Sequence, residues 1–345
     1  MNSAPHLPLR VTLIGCGGIA RAYRDVYRTH PGVQLVAACD VNPEEAAAAA
    51  RGHNGALITQ DLQEALRTPA DLCVISTPND LHAQHTVAAL ESGSAVLVQK
   101  PIARTFIESE TVLEAQEKFG LPVGVYMSSL DNPVHHDMRK AVAEGWFGTV
   151  VKLKLVLAHR GGLSWGSDSW RSSSTRTGGG SWLMLAPHLI HLAQWITGQS
   201  VTTITGAQGR LALAHIEGDD ITSAVAALDG GTLVEVTTGW SHDDVSVEVF
   251  GTEGSFRYRS DTEVILHGER DFHGSAVRHR GGDTPSILSF PSPPMGALDN
   301  PLEQHAEAIK AMTQGKQFAC TAAEAARDMR ILDAVATSKG VNIDG

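Results

Sequence analysis

The sequence predicts an α/β protein of two domains, a doubly wound parallel sheet followed by a second α/β domain built on mostly antiparallel strands. Three observations predict it. From Leu9 to about Met127, short continuous runs rich in Val, Leu and Ile alternate with amphipathic helical stretches. After about Ser128 strands begin to follow one another without helices between them. The length of 345 residues, 42% of them hydrophobic, suffices for two buried cores. The boundary is placed so that residues 1–128 form the first domain and 129–345 the second.

Taken in order, "LRVTLIG", "VQLVAACD", "DLCVIST", "SAVLVQK" and "LPVGVYM" read as parallel strands, because they are apolar throughout rather than alternating. Helix candidates between them include "PEEAAAAARG" and "LHAQHTVAALESG", the latter closed by a Gly. In the second domain a helix in "PVHHDMRKAVAEGWFG" comes first, with His135 and His136 expected to face solvent or a neighbouring subunit. The strand "TVVKLKLVLAHR", a Gly/Ser/Trp-rich loop and the helix of "GGGSWLMLAPHLIHLAQWITG" follow. From Val201 to about Leu266 the segments "TSAVAAL", "GTLVEVTTGW", "VSVEVFG" and "GSFRYR" read as antiparallel strands, the first pair joined by the hairpin turn "DGGT". Residues 267–300, rich in Gly, Pro, Ser and His, read as a loop, and two helices over about 301–315 and 321–337 close the second domain.

The net charge of −11 argues against nucleic acid or an anionic membrane as partner. No apolar run approaches the roughly 20 residues that a membrane span needs. The N-terminus has no apolar signal-peptide core. Four cysteines without paired spacing suit reduced thiols in a cytoplasmic protein.

"VTLIGCGGIARAY" joins a strand, a Gly-rich turn and a helix, with Gly15, Gly17 and Ala20 at the GxGxxG/A positions. Gly15 permits the tight turn and Gly17 lets the backbone approach a pyrophosphate. Ala20 lets helix and strand pack closely, while Gly18 and Ile19 lead into the helix N-terminus that receives the phosphate. Asp40 ends the second strand, where a carboxylate takes the adenosine ribose hydroxyls. It would repel a 2′-phosphate, and no Arg follows it directly, so NAD is expected rather than NADP.

"STPNDLHAQHTVAALESGSAVLVQKPIA", with Thr77-Pro78, His82 and Gln99-Lys100-Pro101, resembles the Gfo/Idh/MocA oxidoreductases. The resemblance extends through "GWFGTVVKL" and the Gly triplet with His188 to the closing helices. It implies a Rossmann domain followed by an α/β domain with a large open antiparallel sheet that mediates a homodimer or homotetramer. The implied reaction is hydride transfer between a nicotinamide cofactor and a secondary alcohol or ketone of a cyclic sugar, glycoside or cyclitol. Thr77, Pro78, Asn79, His82, Gln99 and Lys100 would lie along the cofactor, with Lys100 beside the reacting oxygen and His188 as acid/base. Imidazole titrates near neutrality, and an ammonium stabilises a developing oxyanion, which suits both residues to those tasks.

Two departures from the family pattern stand out. Gln99 replaces the usual Glu before the Lys, and the carboxylates expected around the acid/base are replaced by Met184 and His191. His188 and His191, three apart on a helix, have two further readings. They could be packed core residues, or two ligands of a metal whose third ligand (His159 or Asp168) no spacing demands. No metal is expected. The substrate is expected to meet His159, Trp165, Asp168, Trp170, Arg171, Met184 and His191, with a Trp ring stacked on a sugar face and Trp182 close behind. Two other functions remain open: a redox-neutral enzyme that recycles tightly bound NAD, and a non-catalytic sugar or dinucleotide sensor.

Overall fold

The five apolar runs of the first domain become neighbours in one sheet. A computed structural model describes residues 8–260, 272–278, 286–290 and 301–337. Its first elements are β1 (Leu9–Ile14), α1 (Ala20–Thr29), β2 (Val33–Cys39), α2 (Pro43–Ala50), β3 (Leu57–Thr59), α3 (Leu62–Arg67) and β4 (Leu72–Ile75). They continue with α4 (Asn79–Glu91), β5 (Ala95–Gln99), α5 (Phe106–Phe119) and β6 (Val123–Tyr126). The strands lie in the order β3-β2-β1-β4-β5-β6, and every adjacent pair is parallel. The order reverses between β1 and β4, which opens a crevice at the carboxyl ends of the strands. Of the strands in this sheet only β3 escaped the sequence reading, because three residues are too short to show a period. Local signals fix the helix starts. The Asn42 side chain accepts the Glu44 N–H at 2.9 Å, and Pro43 occupies the first helical position of α2.

The next elements are α6 (Pro133–Ala143), β7 (Val150–Ala158), α7 (Ser174–Thr177), α8 (Ser181–Thr197), β8 (Val201–Gly209), β9 (Ile221–Leu228) and β10 (Leu233–Gly239). After them come β11 (Asp244–Gly251), β12 (Gly254–Ser260), β13 (Phe272–Arg278) and β14 (Ser286–Phe290). The second sheet runs β14-β13-β12-β11-β7-β10-β9-β8, and all its pairs are antiparallel except β7 with β10. On one face Ala224, Ala226, Leu228, Val234 and Val236 are buried, and α8 packs across β7, β9 and β10. On the other face the strands carry a ladder of charges. Lys152 Nζ lies 2.7 Å from Glu235, Lys154 Nζ 3.8 Å from Glu248, and Arg257 Nε 3.5 Å from Glu248, with Val225 and Leu233 exposed beside them.

β13 and β14 fall inside the stretch read as a loop from its Gly, Pro, Ser and His content. Sheet pairing is made by the backbone, so a strand that extends an edge needs no strong side-chain pattern. The remainder of 267–300 lies outside the described residues. His135 also departs from expectation: it is buried on α6, with Nδ1 2.6 Å from Ser129 O, whereas His136 is exposed and packs edge-on to Trp195.

The last two helices are α9 (Pro301–Gln314) and α10 (Ala322–Ala336). The chain divides into two compact units, Met1–Met127 with Asn300–Met329, and Ser128–Asp299 with Arg330–Gly345. The sequence reading had assigned both closing helices to the second domain. The reason for the difference lies in the first core. Ala308, Ile309 and Ala311 of α9, together with Phe318, pack with Leu9, Val11, Leu13, Tyr23 and Tyr27. Val125 N–H of β6 also donates to Cys320 O at 2.9 Å. All four cysteines are buried, and none forms a disulfide. Among the described residues no helix is long and apolar enough to cross a membrane.

Candidate active site

In the first unit the residues singled out from the sequence collect at the carboxyl ends of β1, β2, β4 and β5. Gly15 follows β1 with φ +84°, a conformation that L side chains rarely adopt. A Cβ there would stand 2.6 Å from the carbonyl carbon of Ser76, so the turn presses directly on the backbone after β4. A Cβ on Gly18, by contrast, would meet nothing within 4 Å, leaving open space beside the turn that leads into α1. Ala20, the small residue at the third position, is fully buried and donates its N–H to Gly17 O at 2.9 Å, and Ile19 precedes it as the α1 cap residue. A turn of this kind, opening at a helix N-terminus, fits a pyrophosphate.

Asp40 stands immediately after β2. Its Oδ2 accepts the N–H of Cys16 at 2.6 Å and of Gly17 at 3.2 Å, and its Oδ1 accepts the N–H of Asn42 at 2.8 Å. The carboxylate therefore braces the glycine turn. Burial, reinforced by the Asp40 charge, pushes the Cys16 thiol well above its usual pKa, so Cys16 is an inert packing residue of the turn.

The turns after β4 and β5 are tied together by one side chain. His82 is fully buried, with Nε2 2.8 Å from Thr77 O and Nδ1 2.6 Å from Pro101 O. Burial holds its pKa below the usual histidine value, although the two carbonyls pull it the other way. Both ring nitrogens face the backbone, so His82 fixes the positions of Thr77-Pro78 and Lys100-Pro101. Asn79, the first residue of α4, is buried next to this tie. Gln99 Oε1 accepts the Lys100 N–H at 3.0 Å, a bond that a Gln can make without adding charge beside the ammonium.

In the second unit α8 carries His188 and His191, both buried. Its N-terminus is held from a distance in sequence. The Asp219 carboxylate accepts Gly180 N–H at 3.0 Å, Trp182 N–H at 2.8 Å, Ser181 Oγ–H at 2.7 Å and Thr222 Oγ–H at 2.8 Å. Gly180 has to be glycine, since a Cβ there would sit 2.0 Å from Asp219 O. Sequence reading missed Asp219, whose only signal was a DD pair before a strand. It also passed over Pro187, one residue before His188 and inside the helix. Proline has no N–H for the carbonyl four residues back, so the helix is altered where the histidine sits.

Around α8 the loop residues are packed as follows. Met184 and Leu185 share an apolar cluster with Leu213, Ile216 and Trp240, against which Trp165 and Trp170 are half-buried. Arg171 lies over Trp170, 4.6 Å from the ring centroid, and 5.8 Å from that of Trp165. His159 Nδ1 accepts Gly161 N–H at 3.0 Å, and its ring meets Trp165 edge-on at 6.3 Å. Asp168 is exposed. Trp182 does not belong with the other two indoles: it is fully buried, and its Nε1–H donates to Leu332 O at 3.1 Å. Among the described residues no three His, Cys, Asp or Glu side chains are grouped to hold a metal ion.

Comparison with known proteins places the chain among enzymes. Residues 9–127 match the family described as "Oxidoreductase family, NAD-binding Rossmann fold", and residues 135–257 match the "GFO/IDH/MocA C-terminal domain". The chain is 24% identical to the levoglucosan dehydrogenase of Pseudarthrobacter phenanthrenivorans, with 96% of each protein covered. It is 26% identical to inositol 2-dehydrogenase 2 of Saccharopolyspora erythraea, over 72% of this chain and 73% of that one. Among solved structures, levoglucosan dehydrogenase in complex with NADH and levoglucosan gives a TM-score of 0.80 at 22% identity, covering 95% of this chain and 96% of the other. An oxidoreductase domain protein from Kribbella flavida gives 0.80 at 23% identity, with the same coverage.

Proposed function

The chain belongs to the GFO/IDH/MocA family of NAD-binding oxidoreductases, and from that premise we propose that it transfers hydride between NAD and a secondary alcohol or ketone of a cyclic sugar, glycoside or cyclitol. The observation that carries the proposal is the grouping of the glycine turn, Asp40, Thr77-Pro78 and Lys100 at the carboxyl ends of the parallel strands, where open α/β sheets bind their ligands. The relatives act, by their names, on levoglucosan and inositol, which are neutral polyhydroxylated rings.

Gly15, Gly17, Gly18, Ile19 and Ala20 would hold the pyrophosphate and Asp40 the adenosine ribose. When bound, NAD supplies the acceptor for the hydride. The carbinol hydroxyl must lose its proton as the hydride leaves, and this task is assigned to the His188 imidazole. The Lys100 ammonium is assigned to the same oxygen, whose developing negative charge it offsets. The substrate would be contacted by side chains of the 159–171 segment and of α8. Among these, Met184 offers only a thioether where the family resemblance implies a carboxylate. The open face of the second sheet, with its charge ladder and its exposed Val225 and Leu233, is assigned as the interface between copies of the chain.

NADH formation followed at 340 nm with a panel of cyclic sugars, glycosides and cyclitols tests the reaction. Lys100→Ala and His188→Ala are each expected to lower turnover on the best substrate by about 100-fold or more. If both variants stay within about threefold of the wild type, the assignment of roles is wrong.

A further inference from the structure

Glu45 lies in the first turn of α2, next to the second glycine of the nucleotide turn. A Cβ placed on Gly17 would lie 3.7 Å from its Cγ. The Glu45 carboxylate accepts hydrogen bonds from Arg21 Nε at 3.1 Å and Arg24 Nη1 at 3.2 Å, with a further bond from Arg21 Nη2. Both arginines stand on α1, the helix that the nucleotide turn opens. Asp40 braces that same turn through Cys16 and Gly17.

In this fold an arginine near the end of the second strand accommodates the 2′-phosphate of NADP. The segment after β2 contributes none before Arg51, but α1 brings two to the vicinity from the other side. Both are paired with Glu45. We propose that Glu45 is a specificity-determining residue for the cofactor: by engaging Arg21 and Arg24 it withholds them from an adenosine 2′-phosphate. Selection for NAD then depends on two carboxylates, Asp40 and Glu45, rather than on Asp40 alone. The inference rests on the NAD reading above. It goes beyond that reading because it assigns selectivity to an ion-paired cluster outside the nucleotide fingerprint.

A purely structural role for Glu45, as a brace between α1 and α2, makes a different prediction. Loss of a brace weakens both dinucleotides together, whereas loss of a selector changes their ratio. Titration of the full-length chain with NADH and with NADPH, read by nucleotide fluorescence, separates the two roles without any substrate. In Glu45→Gln the NADPH/NADH ratio of Kd is expected to fall by about tenfold, the two arginines being free to meet a phosphate. A larger change is not expected, because the Arg21 side chain is 60% exposed and water screens it. The shift should shrink as salt is raised from 0.05 to 0.5 M, both values chosen to span roughly a threefold range of Debye length. It should vanish when Arg21→Gln and Arg24→Gln are added to Glu45→Gln.

A ratio that stays within about twofold of the wild type overturns the inference. So does a shift that survives removal of both arginines. Should Glu45→Gln fail to fold, Glu45→Asp reads the same ratio, since the shorter carboxylate cannot reach both guanidinium groups. Failure of the wild type to bind either dinucleotide would overturn this inference together with the cofactor reading. NADH binding with an unmoved ratio would overturn this inference alone.

Discussion

Gly15 and Gly17 sit two residues apart in one turn, yet their substitution should have opposite consequences. Alanine at Gly15 must adopt φ +84° and place its Cβ 2.6 Å from the Ser76 backbone. Gly15→Ala is therefore expected to lower the melting temperature, with a cost of about 2 kcal/mol or more. Alanine at Gly17 meets only the Glu45 side chain, at 3.7 Å. Gly17→Ala should keep the wild-type melting temperature and lose NADH binding, because its methyl group would stand in the path of the pyrophosphate in the proposed nucleotide site. Calorimetry and an NADH titration on the two variants check both outcomes. Asp219 supplies the other prediction at this scale. Its carboxylate takes four hydrogen bonds at the start of α8, so Asp219→Ala should destabilise the protein by about 2 kcal/mol. The glycines were legible in the sequence because the strand, Gly-rich turn and helix that call for them are consecutive in the chain. Asp219 was not, since it acts 39 residues from Gly180.

At the scale of elements, α6 and α9 are two of the helices whose buried histidines make stability depend on pH. Burial pushes the pKa of His135 on α6 down to about 4 and that of His305 on α9 down to about 3. His305 is stacked on Tyr23 at 3.8 Å and bonded to the Tyr27 hydroxyl, which leaves an imidazolium poorly accommodated. Unfolded, both rings would take a proton near pH 6.5. Between that pH and about 4 the unfolded chain binds more protons than the folded one, so stability falls as pH falls through this window. Each ring contributes a slope of about 1.4 kcal/mol per pH unit. Melting temperatures measured from pH 7 to pH 4.5 should drop steeply, and His135→Gln or His305→Gln should flatten the curve. A curve left unchanged by both variants would exclude this origin. The helices themselves were legible, but their faces were not. α8 is buried on nearly all sides, so its apolar run shows no period that could orient Met184, His188 and His191.

At the scale of the whole molecule, the closing helix α9 is remote in sequence from the core it completes. Ala308, Ile309, Ala311 and Phe318 cover side chains of β1 and α1. A fragment ending at Met127 lacks them and should expose that apolar surface. Such a fragment is expected to bind a hydrophobic dye and to lack a cooperative melting transition, whereas the same fragment joined by a short linker to 301–329 should melt cooperatively. If residues 1–127 alone melt as cooperatively as the fused form, α9 is dispensable to the unit.

What the sequence determined by itself was most of the order of elements and the local form of the glycine turn. Both are carried by local patterns: continuous apolar runs separated by helical stretches, and a glycine pattern confined to six residues. The partners of Met184, the burial of His135, the tie that His82 makes between Thr77 and Pro101, and the place of α9 were decided only by the tertiary structure. Each depends on which distant residues close over a side chain. Hydrophobic burial has no direction of its own, so a buried Met, His or Trp reads the same in sequence whichever surface covers it. The arginines of α1 show the same limit. Their charge is visible in the sequence, but the carboxylate that engages them is fixed only when α2 folds beside α1.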